Sequence, residues 1–251
     1  MTSVFFVPVY NQREHLPILL EELRAIELPC DTILLVNDGS TDGSERMVRE
    51  SGYPYIDTHE NVGLGHATRI AVEWALERDY EIFGTLASNG KMLPREMHRI
   101  VDPLREGKSD YVTGSRFLPG GDSPNLPRFR EASIPLVNQF ARAMTGAKLT
   151  DATCGYRAYR LDVIRRMRFD WRAPWLNTYG FEYYLYAKVL LDGRIPWIEV
   201  PITMRYPEKG REYSKIRPVT GWYELLKPWV VARFDGKRLD PPAGERGRQT
   251  A

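Results

Sequence analysis

Residues 31–47 read DTILLVNDGSTDGSERM, and this stretch decides how the rest of the chain is parsed. The β-branched and leucine run from Thr32 to Val36 shows no apolar–polar alternation, the pattern of a strand buried on both faces. It breaks at Asn37 and Asp38 into a turn of Gly, Ser and Thr, after which Asp42 and Glu45 are placed to cap a helix. Strand, polar turn and helix in this order make one βα unit.

The unit repeats outward from there. Upstream, apolar residues 3–9 end near Pro8, and a helical pattern follows at Leu16, Leu19, Leu20, Leu23 and Ile26, with Asn11 and Glu14 spaced as a capping box. Downstream, YPYIDT is a short strand before ENVGLGHATRIAVEWALERD, whose glycines open a helix with Ile70, Ala71 and Trp74 on one face. EIFGTLAS is a further strand, Pro94 suits the first turn of the helix after it, and DYVTGSRF closes the series. The expectation is an α/β chain with a mostly parallel sheet, helices on both faces and right-handed crossovers. Ligands bind such sheets at the carboxyl ends of the strands.

Composition narrows the function class. The 251 residues are 43% hydrophobic and 27% charged, enough for a sizeable core, and are expected to form one domain over residues 1–235 with a disordered tail at 236–251. The net charge of +2 is spread without a like-charge block, which excludes an ordinary nucleic-acid footprint. Cys30 and Cys154 lie far apart and without metal-ligand spacing, so neither a disulfide framework nor a zinc site is expected. A reducing, cytoplasmic setting fits this best. With no apolar run long enough to span a bilayer, membrane contact is expected only from the side, at the inner face.

The strand ends PVYNQ, VNDGSTDGS, NVGLG, LASNGK and GSRF share Gly, Asn, Asp and Ser, which suit tight turns and leave backbone amides able to face a ligand. Together with DATCGYRAYR and IEVPITM, these segments resemble the family 2 glycosyltransferases, in the branch of dolichyl- or polyprenyl-phosphate mannose and glucose synthases. The similarity runs over residues 4–216. It implies a GT-A fold, a nucleoside-diphosphate sugar donor, and inverting transfer to a polyprenyl phosphate or, as a variant, to a small soluble acceptor. Residue by residue, Pro8, Tyr10 and Asp38 match positions that line the base and ribose, while Gly63 and Gly65 match the turn that admits the donor. Arg116 matches a phosphate contact, and Asp151, Gly155, Tyr156 and Arg157 match the loop on the acceptor side.

The departures carry the sharper expectation. Where the family has Asp-x-Asp, this chain has Ala87, Ser88, Asn89, Gly90 and Lys91; the usual Glu is Gln12, and the first Asp of the usual VDDGS is Asn37. The family's carboxylate helps hold Mg²⁺ or Mn²⁺, and Asn89 offers at most a neutral oxygen. No metal is therefore expected to be required, with Lys91, Arg116, Arg211 and Lys215 supplying the positive charge for the donor diphosphate. The opposing expectation is a non-catalytic nucleotide-sugar binder or partner subunit. Asp151 and Glu182 are the candidate bases should the acceptor be a hydroxyl, although Glu182 equally suits a helix N-terminus. The basic segment with Arg205, Lys209, Arg211 and Lys215 is a candidate lid, and TGWYELLKPWVVARF either lies on a bilayer or docks on the core.

Overall fold

The computed structural model of the protein describes residues 1–166, 171–206 and 220–236. Seven strands form one sheet: β1 (Ser3–Val9), β2 (Thr32–Asn37), β3 (Tyr55–Asp57), β4 (Ile82–Thr85), β5 (Tyr111–Ser115), β6 (Arg157–Arg160) and β7 (Trp197–Pro201). Their spatial order is β3-β2-β1-β4-β6-β5-β7. All pairings are parallel except those of β6, which runs antiparallel to both β4 and β5. DYVTGSRF thus does not close the series: β6 enters between β4 and β5, and β7 adds an edge beyond β5.

Side-chain alternation explains the layers. Along β1, Val4 and Phe6 join a core with α3 (Leu64–Leu76), α7 (Gly180–Asp192) and α8 (Thr220–Phe234), while Phe5, Val7 and Val9 join a second core with α1 (Leu16–Arg24) and α4 (Met97–Arg105). Period-2 alternation in a run that is apolar throughout buries the sheet on both faces. Pro8 is tolerated in this inner strand because it lies beyond the β1–β4 ladder, which ends at Phe6 opposite Thr85. Its carbonyl accepts instead from the Ser88 hydroxyl, laying the loop after β4 against the end of β1.

Two helix expectations are corrected. Asn11 does not cap α1; it sits at φ 49°, and its Oδ1 accepts from Thr41 N at 2.8 Å, tying the loop after β1 to the loop after β2. On α3 the fully buried face is Ala67, Ala71, Val72 and Ala75, with Ile70 and Trp74 only half-buried. Small residues face inward there because the helix packs closely on the sheet, and Trp74 stacks on Tyr80 at its margin. The stretch TGWYELLKPWVVARF forms α8 and docks on α7, with Trp229 buried and Lys188 donating to Ala232 O at 3.1 Å and to Asp235.

Candidate active site

At the end of β2, Asp38 is almost fully buried, and its carboxylate accepts from Val62 N at 2.8 Å and Gly63 N at 3.2 Å. It therefore holds the loop that leads into α3. Asn37 beside it accepts from Ser40 N at 3.2 Å and donates from Nδ2 to Asp57 Oδ1 at 3.1 Å. An aspartate in place of Asn37 would set two carboxylates against each other. Gln12 Nε2 donates to Tyr10 O at 3.4 Å, and Gln12 N to Ser44 Oγ at 2.8 Å, fixing the turn that follows Pro8 and Tyr10.

Gly63 and Gly65 are required by close approach. A Cβ at Gly65 would lie 1.9 Å from Leu176 O, and one at Gly63, where φ is 92°, would lie 2.5 Å from Asn177 O. The backbone that approaches these glycines belongs to residues 176–178, and His66 N donates to Asn177 O at 3.1 Å. This strap across the start of α3 had no signal in the sequence.

On the other side of the sheet the loops collect cations. Arg116, directly after β5, makes a two-toothed pair with Asp151: Nε to Oδ2 at 2.7 Å and Nη2 to Oδ1 at 2.6 Å, both residues buried. Burial works against the guanidinium's charge, but Asp151 outweighs it and raises Arg116 above its ordinary range. Asp151 is itself positioned by Glu199, whose carboxylate accepts from Thr150 N and Asp151 N. Arg116 Nη1 also donates to the Tyr206 hydroxyl.

Tyr206 gathers the rest. Lys91 Nζ lies 5.4 Å from its ring centroid, and the Arg130 guanidinium, from the first turn of α5 (Arg128–Thr145), lies 5.9 Å away. Lys91 is only 7% exposed, and burial, followed by the nearby charges of Arg130 and Arg116, lowers its pKa to about 8. The loop that carries it is strapped down: Arg205 N donates to Lys91 O at 2.8 Å, and the Arg205 side chain joins Gly90 O to Glu22. Neither Arg130 nor Tyr206 was singled out from the sequence.

The family implies a divalent cation at this place, and the residues do not fit one. Ala87 has no donor, the Ser88 hydroxyl donates to Pro8 O, and Asn89 Oδ1 accepts from Lys91 N at 3.2 Å. The Lys91 ammonium follows two residues after Asn89, a like charge that opposes a divalent cation there. Among the described residues no group of three His, Cys, Asp or Glu side chains is arranged to hold a metal.

Two further residues lie deeper. Arg157, at the start of β6, is buried against the Tyr186 ring at 4.4 Å and donates to Ala152 O at 2.9 Å. The Glu182 carboxylate accepts from Thr85 Oγ1 at 3.2 Å and lies beside Gly155. Burial raises its pKa, against the opposing pull of Arg157 and the Thr85 bond. Arg211 and Lys215 lie outside the described residues.

Residues 4–168 match the model of the family described as glycosyl transferase family 2. The chain is 33% identical over 245 residues to an undecaprenyl-phosphate mannosyltransferase of Micrococcus luteus, covering 95% of this chain and 98% of that protein. It is 32% identical over 214 residues to a polyprenol monophosphomannose synthase of Mycolicibacterium smegmatis, covering 83% and 79%. Among solved structures, the glucosyl-3-phosphoglycerate synthase of Mycobacterium tuberculosis with Mg²⁺ and UDP superposes with a TM-score of 0.67 at 16% identity, over 97% of this chain and 81% of that one. That likeness establishes a GT-A-type fold. The chain belongs to glycosyltransferase family 2, and it is a glycosyltransferase.

Proposed function

We propose that the protein transfers a sugar from a nucleoside-diphosphate donor to a polyprenyl phosphate, with inversion at the anomeric carbon and without a divalent cation at the diphosphate. The observation that carries the reading is the meeting of Lys91, Arg116 and Arg130 on Tyr206, at the carboxyl edge of the sheet, where Ala87 to Asn89 bring no carboxylate. The acceptor class follows from the two relatives named for polyprenyl-phosphate mannosyl transfer.

In this reading Asp38, Tyr10, Pro8 and the turn at Gln12 and Asn37 form the nucleotide side, and Lys91 faces the diphosphate. A phosphate monoester, with a second pKa of about 6, arrives largely ionised. Its oxygen attacks the anomeric carbon from the face opposite the diphosphate, the new C–O bond forming as the bond to the leaving phosphate breaks. No proton has to be removed. Asp151 then keeps Arg116 in place, and Glu182 is needed as a base only for a hydroxyl acceptor.

The test is a thermal-shift panel of UDP-, GDP-, dTDP- and CMP-sugars in EDTA and in Mn²⁺. A donor at 100 times its dissociation constant adds about 2.7 kcal/mol of stability. One nucleotide should stabilise the protein equally in both, and that nucleotide sugar should label polyprenyl phosphate in EDTA. Stabilisation or transfer seen only with Mn²⁺ would overturn the metal-free reading.

A further inference from the structure

The backbone of Tyr206 is fixed from two directions. Residues 202–206 leave β7 and run between two loops: Met204 bridges to Met92 on the loop after β4, and Thr203 to Asp122 on the loop after β5. Met204 N donates to Asp122 O at 3.0 Å, Arg205 N to Lys91 O at 2.8 Å and Tyr206 N to Pro124 O at 3.0 Å, while Asn125 Nδ2 donates to Tyr206 O at 3.3 Å. The tyrosine is thereby tied to the loop that carries Lys91 and to the loop that follows Arg116. It is 5% exposed, and close packing leaves such a ring little freedom to turn.

This one side chain makes contacts of two kinds. Its ring lies 5.4 Å from Lys91 Nζ and 5.9 Å from the Arg130 guanidinium, within the reach at which an aromatic face attracts a cation. Its hydroxyl accepts from Arg116 Nη1. The charged groups around Lys91 among the described residues are these two arginines and Asp151, which pairs with Arg116; the Arg205 guanidinium is held by Gly90 O and Glu22 of α1. Burial keeps the Tyr206 phenol above its ordinary range and pushes the Cys154 thiol up to about 12, so both stay neutral where Lys91 titrates. Burial and the arginines act against the ammonium, and the negative face of the ring acts for it.

We propose that Tyr206 is a positioning residue for sugar transfer: its ring holds the Lys91 ammonium towards the donor diphosphate and its hydroxyl holds the Arg116 guanidinium, so that both are in place before either substrate arrives. The proposal rests on the reading that Lys91 faces that diphosphate. Charges fixed beforehand stabilise a developing anion without reorganising at the moment of reaction, and a rigid ring among long cationic side chains fixes them. Tyr206 acts through Lys91 and Arg116 and touches no reacting atom. A phenylalanine in its place keeps the ring and loses the Arg116 contact; a leucine loses both.

The experiment compares the parent with Tyr206→Phe and Tyr206→Leu in three measurements. These are donor binding by calorimetry, transfer to polyprenyl phosphate in EDTA, and trace acetylation of Lys91 by acetic anhydride between about pH 6 and 10, read by peptide mass spectrometry. The acetylation follows the ammonium's titration without any donor. Tyr206→Leu should move the Lys91 midpoint down by about one pH unit, the scale of a desolvated cation–ring contact. Donor affinity near pH 8 should then fall by about fivefold and recover towards pH 6. Tyr206→Phe should keep the midpoint and lower kcat/KM by about tenfold or more, the scale for a misplaced group. In a Lys91→Arg background, Tyr206→Leu should leave the donor's pH profile flat. A merely structural tyrosine would lower activity or stability with the midpoint unmoved, and that result overturns the proposal. So does a parent-like kcat/KM in Tyr206→Phe, which removes only an oxygen and decides the matter alone should Tyr206→Leu fail to fold. A parent whose donor affinity is the same on both sides of about pH 8, with the acetylation midpoint still shifted in Tyr206→Leu, overturns instead the placement of Lys91 at the diphosphate.

Discussion

The loops after β1 and β2 and the loops after β4 and β5 meet at the same edge of the sheet and are held by opposite means. On the β2 side, carboxylates hold backbone amides: Asp38 accepts from Val62 and Gly63, and Asp42 from Arg13 and Ser44. Neither carboxylate has an ion pair among the described residues. On the β5 side, a carboxylate holds a cation, Asp151 pairing with Arg116, and Lys91 and Arg130 lie against the same Tyr206 ring whose hydroxyl Arg116 meets. The first arrangement gives a rigid polar cradle with little net field. The second draws cationic groups together in a partly dry place, where Coulomb interactions are strong. A ligand that is neutral at one end and dianionic at the other matches this division.

The sharpest way to break the comparison is at Asp151. Asp151→Asn removes the charge but keeps the shape, leaving Arg116 buried with an amide facing its donors. Destabilisation of about 3–5 kcal/mol is expected, read from urea denaturation. The double variant Arg116→Met with Asp151→Leu should recover most of that stability, because replacing both ions removes the desolvation cost along with the attraction. It should still bind the donor poorly. Donor affinity equal to the parent's would make the pair purely structural.

Lys91 comes next. Lys91→Ala is expected to lower the turnover rate by about 10²–10³-fold, the scale for removing one preorganised group that stabilises developing charge. Its protonation gives a second handle. Burial, Arg130 and Arg116 hold the free enzyme's ammonium near a pKa of about 8, so the cation is complete below that pH and lost as pH rises through it. A bound diphosphate favours the charged form, so the donor dissociation constant should rise by up to about tenfold per pH unit above 8. Lys91→Arg, charged throughout, should flatten the profile between about pH 7 and 9.5 in calorimetric titrations. A parent profile as flat as the variant's would remove Lys91 from the donor's surroundings.

Much of this was legible in the sequence, and the rest failed for definable reasons. DTILLVND showed a strand buried on both faces because its apolar run is unbroken, and the polar strand ends located the site edge. β6 was missed because RAYR is four residues long and its neighbours β4 and β5 are distant in sequence; antiparallel insertion leaves no local mark. Arg130 and Tyr206 were missed for a similar reason. Arg130 falls in a segment that none of the strand-end motifs marks, and Tyr206 lies within a basic segment, until the fold brings both to Lys91. The strap at 176–178 went unseen because its contribution is backbone carbonyls, which every sequence has.

Asn37 supplies the smallest expected effect and tests the amide-based side of the comparison. Its neutrality reads from sequence as one of several lost acids at a metal site, yet its side chain is buried and donates to Asp57. Asp57 is held below the usual carboxylate range: burial opposes its charge, but Arg49, His59 N and Asn37 outweigh burial. Asn37→Asp keeps an acceptor for Ser40 N and turns the other oxygen towards Asp57, so two carboxylates face each other and a proton shared between them is held more tightly. The expected cost at pH 7 is about 1–2 kcal/mol, equivalent to a rise of roughly one pKa unit in the shared proton. Because the folded state then binds protons more tightly than the unfolded chain, the cost is full above the raised value and fades as pH falls towards the unfolded carboxylate value of about 4. Urea denaturation at pH 7 and pH 5 reads the difference. Adding Asp57→Asn should remove the cost, since the amide now donates in the reverse direction. If Asn37→Asp proves neutral at pH 7, the amide is not there for Asp57, and its loss of charge belongs with Ala87, Asn89 and Gln12 as part of one change at the donor.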